Sequence, residues 1–125
     1  MEVAAVHLPS NRYAGSPSAG EAARVVELRR VLAEPPRPDV VAGDMNCPPG
    51  SAPYRIMSEA GYVDAAVAAG SATSERRVDY VWIDAGQASR LTGFAALDGE
   101  GFRRVDAAGT PWTLSDHAPL MVELT

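Results

Sequence analysis

Apolar positions along the chain fall into short runs that break on a polar residue, separated by two amphipathic stretches. Residues 2–8 alternate loosely and end in His7-Leu8-Pro9, which predicts a strand running into a loop. That loop, residues 9–19, is rich in Ser, Gly, Pro and Asn. Ser18 followed three residues later by Glu21 has the capping-box pattern and opens a helix expected over 19–33. Ala22, Val25, Val26, Leu32 and, less well placed, Leu28 form its apolar face, with Arg24, Glu27, Arg29 and Arg30 largely opposite. Pro35, Pro36 and Pro38 end it.

Residues 39–43 read as a short buried strand, and Pro48-Pro49-Gly50 as a hard turn. Ser51 then caps a shorter helix over 52–60, closed by Gly61. An extended segment over 62–67 carries Asp64 and leads into a small-residue loop. Strands are predicted over 77–83, 91–97 and 102–105, with Asp98-Gly99-Glu100-Gly101 as a hairpin turn, and a last strand over 119–124. The order β-α-β-α followed mostly by β predicts an α+β fold, with one mostly antiparallel sheet and two helices on one face. At 125 residues the chain is expected to be one domain, 1–125.

Composition changes this picture little. The net charge of −5 argues against a nucleic-acid surface, which normally carries a basic stripe, although Asp44, Asp79 and Asp116 would spend part of that acidity beside a cation. Every basic residue is Arg. The lone Cys47 excludes an internal disulfide. No apolar stretch is long enough for a membrane span, and the first residues lack the basic region and the apolar length of a signal peptide.

The chemistry lies where the runs break. Val40-Val41-Ala42 leads into Gly43-Asp44-Met45-Asn46, Asp79 interrupts the run Arg77-Val78-Asp79-Tyr80, and Ser115-Asp116-His117 precedes the last strand. Three carboxylates, an amide and a histidine at strand ends are the parts for holding a hard divalent cation and splitting a phosphate ester. Asp44 and Asn46, two apart on an extended segment, point the same way, so they orient an attacking water or else merely cap the turn before Pro48. Asp79, if it faces inward, needs a partner. Asp116 and His117 are adjacent and must diverge, so they cannot do the same job. Tyr13, Tyr54, Trp82 and Trp112 are either a stacking surface or ordinary core and rim. The Arg76-Arg77 and Arg103-Arg104 steps read as solvated edges.

With His7 at the end of the first strand, the order His, Asp-x-Asn, Asp, Asp-His resembles the endonuclease/exonuclease/phosphatase superfamily, the fold of DNase I. The resemblance implies a four-layer α/β sandwich of two sheets packed face to face, with the motifs of this chain in its C-terminal half. The other half would supply an Asn and a metal-binding Glu, for which nothing before His7 stands in. A missing N-terminal half, a partner chain or a dimer is therefore expected to complete the fold; the alternative to a working phosphoesterase is an inactive fragment or a non-enzymatic half-domain that needs a partner chain. The resemblance further implies a Mg²⁺ or Mn²⁺ cofactor held by Asp116 and Asp44, and a phosphate-ester substrate. It pairs Asp79 with His117, has His7 and Asn46 meet the phosphate, and leaves the general base open between Asp44 and His117. Asn11 in the following loop is a further candidate substrate contact, whereas Arg24 and Glu27 read as helix surface.

Overall fold

The computed structural model describes residues 1–71, 74–97, 103–113 and 115–125. Its centre is a four-stranded sheet of β1 (Val3–His7), β2 (Val40–Asp44), β3 (Tyr62–Asp64) and β4 (Asp79–Asp84), in the order β1-β2-β4-β3. β1 and β2 are parallel, and β4 runs antiparallel to both of its neighbours. The parallel pair requires a crossover, and the long helix α2 (Pro17–Ala33) provides it after the single turn α1 (Asn11–Ala14). α3 (Ala52–Glu59) joins the same face, and the short α4 (Ala65–Ala68) follows β3 directly.

Alternation along β2 and β4 builds a core on both sides of this sheet. Val41, Tyr80 and Trp82 face the helices and pack with Leu28, Met45 and Met57. Val40, Val81 and Ile83 face the other way, against Leu91, Phe94, Leu120 and Val122. Those last residues belong to a second sheet, the antiparallel pair β5 (Leu91–Ala96) and β8 (Leu120–Leu124). The layers are thus helices, a four-stranded sheet and a two-stranded sheet. The third pair, β6 (Arg103–Val105) with β7 (Pro111–Thr113), is exposed throughout.

The expected α+β class holds, but a single mostly antiparallel sheet with two helices does not. Among the described residues there are three sheets and four α-helices, because β5 pairs with β8 across the chain rather than with β6. The turn expected at residues 98–101 lies outside the described residues. Residues 62–67 are not wholly extended either. Asp64 accepts a hydrogen bond from the Ala66 N–H (3.1 Å) and so caps α4.

The long helix also differs from its sequence reading. Ser16, not Ser18, caps it, accepting from the Ala19 N–H at 3.2 Å, with Pro17 in the first turn. Its buried line is Gly20, Arg24 and Leu28 at four-residue spacing, while Val26 is half exposed. Arg24 is therefore no surface residue: its guanidinium donates to the Pro9 carbonyl (2.9 Å) and to Asn11 Oδ1 (3.0 Å), tying the loop after β1 to the helix. Gly20 makes room for this tie, since a Cβ there would stand 2.3 Å from Asn11 Oδ1. Ser51 does not cap α3 with its side chain; its hydroxyl donates to the Pro48 carbonyl at 2.7 Å instead.

Candidate active site

Sheet register alone assembles the centre of the site. In the parallel β1–β2 ladder His7 stands opposite Asp44, and in the antiparallel β2–β4 ladder Asp44 stands opposite Asp79. Three polar residues from distant parts of the sequence thus form one row across three adjacent strands, at the carboxyl ends of β1 and β2. That edge is where ligands bind in open α/β sheets. Backbone bonds extend the ladder one step beyond the row: the Leu8 N–H donates to the Asp44 carbonyl and the Met45 N–H to the Val78 carbonyl, both at 2.8 Å.

Gly43 is what lets β1 come so close. Its φ of +138° and a Cβ position 2.0 Å from the Val6 carbonyl oxygen exclude any side chain. The glycine of the Gly-Asp step is therefore a requirement of the backbone, placed one residue before the carboxylate it helps to position.

After Asp44 the chain does not remain extended. Asn46 adopts a left-handed conformation (φ +48°), and its N–H donates to Asp44 Oδ1 at 2.7 Å, closing an Asx turn. The Asn46 side chain consequently does not run parallel to that of Asp44. Its amide donates to the Leu8 carbonyl at 2.8 Å, which pins the end of β1 to the turn.

The fourth member arrives from the segment before β8. The His117 Nδ1 lies 2.7 Å from Asp79 Oδ2, and its Nε2 lies 3.9 Å from Asp44 Oδ2. A carboxylate can only accept, so Nδ1 carries a hydrogen, and Nε2 faces Asp44. The Ser115 hydroxyl accepts from the His117 backbone N–H at 3.0 Å and fixes the turn that delivers the ring. His7 Nε2 is 3.6 Å from the same Asp44 oxygen but is far more open, with 78% of its side chain exposed against 16% for Asp44. Asp44, Asp79 and His117 each offer one ligand atom within 4.8 Å of the others.

The remaining candidates are placed differently. Asp116 diverges from its neighbour as adjacent residues must, and its carboxylate is 97% exposed, with Oδ1 4.0 Å from His117 Nε2. Asn11 is exposed and its carbonyl oxygen is committed to Arg24. Sequence reasoning missed Arg77, whose guanidinium grips the buried Asp64 through two nitrogens and lies 4.4 Å over the Tyr80 ring. Only the pairing of strand ends 13 residues apart reveals that partnership; its one signal was an Asp inside an apolar stretch. Trp82 and Tyr54 are core, their rings 4.8 Å apart, whereas Trp112 and Tyr13 are exposed.

The hydrogen bond from His117 to Asp79, reinforced by the charges of Asp79, Asp44 and Asp116, holds the imidazole pKa above its ordinary value despite partial burial. The protonated ring is favoured in the folded state. This contribution to stability is fully present below about pH 6.5 and is lost as pH rises through the raised folded value. In the metal-free protein the His117 resonance is expected to titrate above that of an unstructured histidine. Asp79→Asn should move the midpoint down toward it. An unchanged midpoint, followed by NMR, would mean that the bond to Asp79 does not control the ring.

The family model for the "Endonuclease/Exonuclease/phosphatase family" matches residues 5–117, a span that includes every member of the row and His117. The chain belongs to the endonuclease/exonuclease/phosphatase family. A crystal structure of a protein of this family from Bacteroides thetaiotaomicron superposes with a TM-score of 0.59 at 15% identity, covering 96% of this chain. At that identity the likeness shows the shared DNase I-like fold. The chain spans 48% of that protein's length. No curated protein matches the sequence. The family takes in endonucleases, exonucleases and phosphatases. Among the described residues no helix is long and apolar enough to cross a membrane.

Proposed function

We propose that this chain is a divalent-metal-dependent phosphoesterase in which an activated water attacks the phosphorus in line. The observation that carries the reading is the chain of contacts from Asp79 through His117 to Asp44. The 3.9 Å between His117 Nε2 and Asp44 Oδ2 is spanned by one water making two hydrogen bonds of ordinary length. Asp44 orients that water and Nε2 accepts its proton as the oxygen attacks. Asp79 steadies the imidazolium that results, as the raised pKa of His117 indicates. His7, on the open side of Asp44, meets the phosphoryl oxygens, and Asn46 holds the turn and presents the remaining amide hydrogen to them.

The donor set fits a hard cation. Among the described residues Asp44 Oδ2 makes no hydrogen bond, and Mg²⁺ or Mn²⁺ is commonly held by one or two carboxylates with waters and substrate phosphate completing the shell. Asp44, in the group that also brings Asp79 and His117 within reach, would hold it, while the exposed Asp116 lies outside that group. When bound, the metal neutralises phosphoryl charge. The test is hydrolysis of bis(p-nitrophenyl) phosphate with Mn²⁺ and with chelator. Turnover that needs the metal supports the proposal, and metal-independent turnover, or none from folded protein with Mn²⁺, counts against it.

One observation favours a second reading, that another polypeptide must complete the fold before turnover begins. The outer face of β1 is uncovered, with Val3 60% exposed and Ala5 beside the site row also exposed. On this reading specific activity rises with protein concentration, because two copies or two chains assemble the working site. A constant specific activity across a hundredfold dilution would exclude self-assembly.

A further inference from the structure

We infer that the cavity beside His117 is a subsite for the apolar organic group of a small phosphate ester, with Arg76 receiving its phosphate. This substrate class rests on the phosphoesterase reading above. The cavity encloses about 460 Å³, within the range of small-molecule sites. Val78, Phe94, Ala96 and Leu120 line it, with Ala66 of α4. Asp79, His117 and Arg76 line the same cavity. An apolar chamber therefore opens directly onto the reacting histidine, and an ester whose phosphorus sits at His117 has one obvious place for its organic group.

The two neighbouring arginines divide their work. Arg77 turns inward and is held by Asp64. Arg76 is exposed, and its guanidinium has no protein partner among the described residues; only its backbone N–H is engaged, by the Ser74 hydroxyl at 3.1 Å. A free guanidinium at the mouth of a cavity otherwise rimmed by Asp79 and Asp116 offers a dianionic headgroup a fork of donors where the surroundings would repel it. The observations favour a small ester over a polynucleotide strand. The cavity is lined mostly by apolar surface rather than drawn out along a basic track, and the chain carries a net charge of −5.

Non-hydrolysable probes test this without turnover: phenylphosphonate against methylphosphonate, which share a headgroup and differ in the apolar group. Calorimetric titration is expected to give phenylphosphonate at least a tenfold advantage. Ala96→Phe, at an exposed position of the lining, fills the chamber and should erase that advantage while leaving methylphosphonate binding unchanged. Arg76→Ala should weaken both ligands by severalfold or more. Equal affinity of the two probes, or an advantage that survives Ala96→Phe, overturns the subsite. Unchanged binding in Arg76→Ala overturns the role of that arginine. Absence of Mn²⁺-dependent hydrolysis with the phenyl preference intact would remove the phosphoesterase reading alone. Turnover without the preference would remove the subsite alone.

Discussion

Asp44→Asn is expected to reduce Mn²⁺-dependent phosphodiester hydrolysis by about 10³-fold or more while the protein stays folded. The argument rests on position. Asp44 is the middle of the row, with His7 on one side at 3.6 Å and His117 on the other at 3.9 Å, and both distances end on the same oxygen, Oδ2. The second oxygen has a structural task, accepting the Asn46 N–H. Asparagine keeps an acceptor for that N–H, so the Asx turn survives. What it removes is the charge, and with it both the attraction for a cation and the anionic acceptor for the water. Alanine removes both oxygens, so it should lose comparable activity and some stability as the turn loosens. Thermal unfolding alongside the rates separates the two effects. If Asp44→Asn kept activity within tenfold of the parent, Asp44 could not be the centre of the reaction. The roles of His117 and His7 would then need a different anchor.

Much of this was legible in the sequence because the relevant signals are local. An apolar run that stops on Asp44, another broken by Asp79, and a His at the end of the first strand report strand ends, and strand ends of a layered fold converge. The pairing of Asp79 with His117, implied by resemblance, is present as a 2.7 Å contact. What stayed hidden depends on partners distant in sequence. Arg24 has the composition of a helix-surface residue, and only the folded loop shows that Pro9 and Asn11 meet it inside. β5 and β6 look like a hairpin because a turn sequence separates them, yet β5 finds better burial against β8, where its apolar residues cover Val81 and Ile83. The direction of Asn46 was misjudged for a smaller reason. The Asp-x-Asn sequence that makes the residue pair look aligned also allows a side chain to close a turn on its own backbone, and that turn wins.

Arg77→Ala is expected to destabilise the protein by about 3–5 kcal/mol, the largest loss of stability from any single truncation near the site. Asp64 is 4% exposed and ends β3 just before α4. Four donors surround its carboxylate: two nitrogens of Arg77, the Tyr54 hydroxyl at 3.1 Å and the Ala66 N–H at 3.1 Å. Removing the guanidinium leaves two neutral donors facing a carboxylate with little water. The charge is then held in a poorly polarisable interior, or the group takes up a proton. Arg77 also lies over Tyr80, whose hydroxyl reaches both the Arg77 carbonyl (3.0 Å) and the Cys47 carbonyl (2.8 Å). The cluster thereby ties the segment entering β4 to the segment leaving β2, the two that carry Asp79 and Asp44. A double-mutant cycle distinguishes a stranded charge from lost packing. If the stranded charge dominates, Arg77→Ala combined with Asp64→Ala should cost clearly less than the two single changes added together. Additive losses would assign the effect to packing on Tyr80. A single-mutant cost below about 1 kcal/mol would mean that the pair behaves as a solvated surface bridge, contrary to its burial.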